Sequence, residues 1–101
     1  MTRNVEQGVL QVSTAASRAA YEAVERIVRI ADDRPAGMIV HAVAENADGS
    51  VLIVDVWESD AAMDVFERER LLPAFAALPA DPRGAMPERP VRHPAFLVVR
   101  A

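Results

Sequence analysis

The side chains able to do chemistry are few. A chain of 101 residues holds two histidines, one tyrosine, one tryptophan and no cysteine. Disulfides, thiolate metal sites and a cysteine nucleophile are therefore excluded. Three of the informative residues fall within HAVAENADGSVLIVDVWES, residues 41–59: His41, Asp55 and Trp57, each set in aliphatic surroundings. A carboxylate beside an imidazole fixes its tautomer and prepares it as a general base. Whether His41 can meet Asp55 depends on the elements that carry them.

Both flanks of NADG read as strands, Met38 to Glu45 and Val51 to Glu58, and an Asp-Gly step between apolar runs is a strong hairpin signal. Side chains alternate faces along a strand, so parity sorts the residues. Val51, Ile53, Asp55 and Trp57 share one face of the second flank, and Ile39, His41, Val43 and Glu45 share one face of the first. A three-residue loop, Ala47-Asp48-Gly49 closed by Asn46 opposite Ser50, pairs like with like. It sets His41 opposite Asp55 and Ile39 opposite Trp57. A four-residue loop would turn His41 to the other face. A cross-strand His–Asp pair suits acid–base work, and equally a satisfied polar contact at a strand end or a dimer interface. Trp57 by itself reads as core or as a wall of a binding space.

The remaining elements follow from pattern. Val5 to Val12 has strand composition, and Ser13 and Thr14 offer N-cap oxygens to a helix that runs to Asp32, ahead of Pro35 and Gly37. Ala20, Tyr21, Val24, Ile27, Val28 and Ala31 form its apolar stripe. Tyr21 then faces the sheet, where its hydroxyl needs a partner if buried; it lines a cavity or simply packs. Ser59 and Asp60 start a second helix, which Pro73 kinks or restarts. Pro79 to Pro90 carries too many prolines for regular structure, and Val91 to Arg100 closes the chain as a strand that Pro94 confines to an edge. Phe66, Phe75 and Phe96 read as core, and His93 as structural. Tyr21, Ile39, Ile53 and Phe66 are the candidate ligand contacts around a catalytic group of His41, Asp55 and Trp57. Nothing places Arg26 or Glu58 at a rim.

The order β-α-β-β-α-β is the ferredoxin-like, α+β arrangement: a four-stranded antiparallel sheet with two helices on one face, one domain over residues 1–101. Strands one and three are apolar on both parities. The face away from the helices would expose a large greasy patch, so a homodimer packed sheet to sheet is expected. A net charge of -4 and the lack of a basic patch argue against a nucleic-acid partner. No apolar run reaches the roughly 20 residues that span a bilayer, and the polar N-terminus lacks a signal-peptide core; a cytoplasmic protein without a membrane partner is expected. No Gly-rich phosphate loop, HExxH or Gly-x-Ser-x-Gly elbow occurs. Two distant histidines lack the company of a ligand cluster, so no metal and no cofactor is expected.

The segment VDVWESDAAMDVFERERLLPAF, residues 54–75, resembles the antibiotic biosynthesis monooxygenase-type dimeric α+β barrel proteins. The shared elements are a strand ending in Trp-x-Ser, a helix with an acidic first turn and a Phe, and then Leu-x-Pro. Upstream, GMIVHAVAENADG resembles the glycine, histidine and hairpin of small actinobacterial members with no assigned activity. The likeness covers roughly the middle 40 residues. It implies a dimeric barrel, and a pocket in which some members oxidise polyketide-type phenols with oxygen, using no metal or flavin, through an Asn and a Trp. Trp57 matches that Trp; Ile53 stands where the Asn would be. Members that degrade haem bind it through a His on the second helix, and none lies between His41 and His93. The resemblance thus implies a small-molecule ligand and a cofactor-independent monooxygenase using Trp57, His41 and Asp55. An isomerase or cyclase using the His–Asp pair, or a non-catalytic ligand-binding dimer, are the alternatives.

Overall fold

A computed structural model describes residues 5–79 and 90–100. Its elements are β1 (Val5–Ala15), α1 (Arg18–Val28), β2 (Met38–Glu45), β3 (Val51–Trp57), α2 (Asp60–Phe66), a π turn (Glu67–Leu71), α3 (Leu72–Ala77) and β4 (Arg92–Val99). All strand pairs are antiparallel, in the order β2-β3-β1-β4. This is the ferredoxin-like arrangement. Pro94 lies on the edge strand β4, where a missing N–H is tolerated. Most of the proline-rich stretch expected from Pro79 to Pro90 lies outside the described residues. Among the described residues, no helix is long and apolar enough to cross a membrane.

One face of the sheet carries the helices. Val9, Met38 and Trp57 from the sheet pack with Val28 of α1, Met63 and Phe66 of α2 and Ala74 of α3. Trp57 is 0% exposed and meets Phe66 with ring centroids 5.2 Å apart. Truncating such a buried aromatic typically costs about 3–5 kcal/mol, so this cluster is the anchor of the fold. Arg70, reaching from the π turn, donates to the Val28 and Asp33 carbonyls and lies over the Phe66 ring. It thereby ties the end of α1 to the second helical layer.

Several local expectations shift. β1 runs on to Ala15, because Ser13 and Thr14 pair with Ile53 and Leu52 of β3 rather than capping a helix. The N-cap is Ser17, whose hydroxyl accepts from the Ala20 N–H. Helix α1 stops at Val28, not Asp32. Arg29 adopts a left-handed conformation (φ 58), and the Glu25 carboxylate accepts the Ile30 and Ala31 N–H groups that would otherwise continue the helix. β3 ends at Trp57, one residue short of Glu58. Phe96, expected in the core, is 89% exposed on the edge strand. Pro73 falls in the first turn of α3, directly after the π turn.

The hairpin forms with the three-residue loop: Asn46 N–H donates to the Ser50 carbonyl, and Gly49 N–H to the Asn46 carbonyl. His41 accordingly pairs with Asp55. Farther along, β2 bulges, and Met38, not Ile39, stands opposite Trp57. The extra residue turns Met38 onto the core face. Arg34 holds the bulge by donating to the Met38 and Ile39 carbonyls.

Gly37 leads into that bulge at φ 85, and a Cβ there would stand 2.5 Å from the Ala62 Cβ. Gly49 has a similar φ of 88 but open space around it. Gly49→Ala should cost about 1 kcal/mol, the left-handed penalty alone. Gly37→Ala adds overpacking, roughly 1–3 kcal/mol more. Urea unfolding of the two variants checks the order, with Gly37→Ala the less stable.

Candidate functional site

Between the sheet and the helices lies a cavity of about 350 Å³. The walls are mainly apolar: Val24 and Ile30 from the α1 side, Ile53 from β3, and Phe66, Leu71, Leu72 and Phe75 from the second helical layer. His41, Asp55 and Gln11 line its floor, and they belong to a polar row that the strand register lays across all four strands. His41 on β2 pairs with Asp55 on β3, Asp55 with Gln11 on β1, and Gln11 with Arg92 on β4. Arg92 is occupied by ion pairs to Asp64 at 2.7 Å, Glu67 at 3.2 Å and Asp60 at 3.3 Å, which fasten β4 to the helix above. The π turn begins at Glu67, and its wider winding brings Glu67 and Leu71 both to the cavity. Such turns recur at functional sites.

The His–Asp pair extends into a chain of three. His41 Nδ1 lies 2.6 Å from Asp55 Oδ1, and His41 Nε2 lies 2.6 Å from the Tyr21 hydroxyl. The His41 and Asp55 side chains are only 14% and 16% exposed. An ionised carboxylate can only accept, so Asp55 takes the Nδ1–H. The Nε2 of the neutral ring is then left to accept the Tyr21 O–H. Tyr21 keeps its oxygen lone pairs for whatever enters the cavity. Burial, with the charges of Glu25 and Asp55 added, pushes the Tyr21 phenol up to about 12. The hydroxyl therefore holds its proton across the neutral range and can relay one without itself ionising.

The structure brings together four of the residues singled out from sequence: Tyr21, His41, Asp55 and Ile53, with Phe66 in the wall. It does not bring Trp57 or Ile39 there. Trp57 is sealed in the core beneath Phe66, and its indole Nε1 has no hydrogen-bond partner among the described residues. Ile39 sits at the bulge and is not among the lining residues. Gln11, Glu25 and Glu67 line the cavity and were missed. For Gln11 a signal existed: Val9, Gln11 and Ser13 alternate along β1, which puts a polar pair on the helix face. Nothing comparable marked Glu25 or Glu67 among the many surface acids. Among the described residues no three His, Asp or Glu side chains are placed to hold a metal ion.

No family model matches the chain, and no curated protein sequence does. Solved structures do. A protein of Nitrosomonas europaea superposes with a TM-score of 0.61 at 11% identity, covering 94% of this chain and 93% of its own. A Chloroflexus aurantiacus protein gives 0.54 at 18%, covering 91% and 92%. Both carry the name "putative antibiotic biosynthesis monooxygenase". A Mycobacterium tuberculosis protein gives 0.57 at 12%, covering 95% and 96%. At these identities the likeness shows a shared fold over nearly the full length of each chain.

Tyr21 is the only tyrosine, so phenolate absorbance reports it alone. Its midpoint should stand near 12 in the folded protein and return to about 10 in denaturant. Because the folded state holds this proton more tightly, the stability it contributes is complete below about pH 10. That contribution is lost as the pH rises through the folded value. A native midpoint near 10 would mean that the hydroxyl is not held in the cavity wall.

Proposed function

We propose that the chain binds a small, largely apolar molecule in this cavity and removes a proton from it through Tyr21, His41 and Asp55. The observation that carries the reading is the hydrogen-bonded chain ending in an apolar cavity: two contacts of 2.6 Å, with Tyr21 at its outer end. A cavity of about 350 Å³ is at the small end of ligand sites, room for two or three fused rings.

Proton transfer works as follows. The Tyr21 oxygen takes a proton from the ligand while its own passes to His41 Nε2, and the resulting imidazolium is held against Asp55. A simple phenol at about 10 giving its proton to an imidazole at about 6.5 is uphill by about 5 kcal/mol in water. That fits within the barrier of an ordinary enzyme turning over at 1–10³ s⁻¹. A carbonyl-activated carbon acid or enol requires less.

The names of the two fold relatives favour oxygen as the next reactant, giving a cofactor-independent monooxygenase of the antibiotic biosynthesis type. The deprotonated ligand supplies the electrons that reduce dioxygen. A C–O bond forms at the former methylene, and one oxygen atom stays there as a carbonyl. The other leaves as water with the two hydrogens the carbon has lost, one of them returned from His41. Trp57, buried away from the cavity, serves here as support for Phe66.

The opposite sheet face supports pairing of two copies. Val12 and Val40, which alternate with Gln11 and His41, are 44% and 46% exposed, and Leu52, Val54 and Val56 continue the apolar surface between them. A homodimer buries this face, and sedimentation equilibrium should give twice the chain mass; a single-chain mass at micromolar concentration would contradict the pairing.

Oxygen uptake with an anthrone-type substrate tests the chemistry. Tyr21→Phe keeps the ring and breaks the chain, and it should lower kcat by roughly 10²- to 10⁴-fold with little change in KM. Asp55→Asn and His41→Ala should fall in the same range. Normal turnover in all three would end the acid–base proposal.

A further inference from the structure

Gln11 is a polar side chain without a partner among the described residues. It is 9% exposed, in the middle of the central strand β1. Among the described residues its carboxamide makes no hydrogen bond, yet its polar atoms are not sealed off as the Trp57 Nε1 is. They open on the cavity. A buried amide with nothing to bond costs about 1–3 kcal/mol. Both neighbours in its row are engaged elsewhere: Asp55 with His41, and Arg92 with the acids of the second helical layer.

We infer that Gln11 is the second polar anchor of the ligand, donating an amide N–H to a carbonyl oxygen at the end remote from Tyr21 and His41. This rests on the proposed small-molecule site and narrows its substrate class. Gln11 and His41 are two strands apart across Asp55, so roughly 10 Å of sheet separates them. Flat fused rings with the acidic C–H on one edge and a carbonyl on the opposite edge span that distance once both hydrogen bonds are included. Removing the proton from such a carbon acid moves negative charge onto the carbonyl oxygen, where an oriented N–H is worth most. Glu25 and Glu67 in the lining disfavour a ligand that arrives as an anion. The class is thus a neutral, carbonyl-activated carbon acid rather than a simple phenol or a carboxylate.

Anaerobic equilibrium dialysis with anthrone and 9,10-dihydroanthracene, which share a skeleton and differ in the carbonyl, tests this without turnover. The wild type should bind anthrone roughly tenfold more tightly, consistent with one buried hydrogen bond. Gln11→Leu and Gln11→Met should bring the ratio close to one and leave the melting temperature unchanged or raised. An unchanged ratio in folded variants overturns the assignment. So does loss of folding in both variants, which would make the amide structural, or a wild type that binds neither ring system. If Tyr21→Phe turns over normally while the Gln11 dependence holds, the proton relay fails and the anchor stands.

Discussion

The register of one hairpin governs the site. A three-residue loop closed by the Asn46–Ser50 pair sets His41 opposite Asp55. A shift of one residue would send every side chain of β2 to the other face. The fold secures that register at both ends. At the loop, Asp48 accepts from the Ser50 N–H and hydroxyl. At the far end, Gly37 admits the chain beside α2, and Arg34 collects the carbonyls of the bulge. Between these two fixed points His41 has one partner available on the sheet and one above it.

The partner above is set by packing. Tyr21 reaches His41 because α1 docks through Val28 against Trp57 and the second helical layer, and because Arg70 binds the end of α1. Trp57 thus acts on the site from below: it supports Phe66, which is both core and cavity wall. The π turn gives the same layer its second role. It turns Glu67 toward Arg92 and Leu71 toward the cavity, so the edge strand and the ligand space share one support.

Much of this was legible in the residues. Apolar runs on either side of an Asp-Gly step located β2 and β3, and parity grouped His41 with Ile39 on one strand and Asp55 with Ile53 on the other. The residues left a three- or a four-residue loop open, and the Asn46–Ser50 pairing decides for three. Other features left no local mark. A bulge at Ile39 adds one extended residue among extended residues, so periodicity placed Ile39, not Met38, beside Trp57. Ser13 and Thr14 suit a cap as well as a strand, and only the length of β3 drew them into the sheet. Tyr21's bond to His41 depends on the rotation of α1 about its axis. The burial of Trp57 depends on the helix laid over it. Phe96 shows the opposite error: an aromatic on an edge strand need not find a core.

The central claim is the direction of the hydrogen bonds in the Tyr21–His41–Asp55 chain. Nitrogen-15 chemical shifts of the two imidazoles read it directly, with the exposed His93 as an internal reference. At pH values where the rings are neutral, His41 should show a protonated Nδ1 and a bare Nε2, moving toward the other tautomer in Asp55→Asn. His93 should show the tautomeric average of a solvated ring. A bare Nδ1 in the wild type, or a His41 that averages like His93, would contradict the chain.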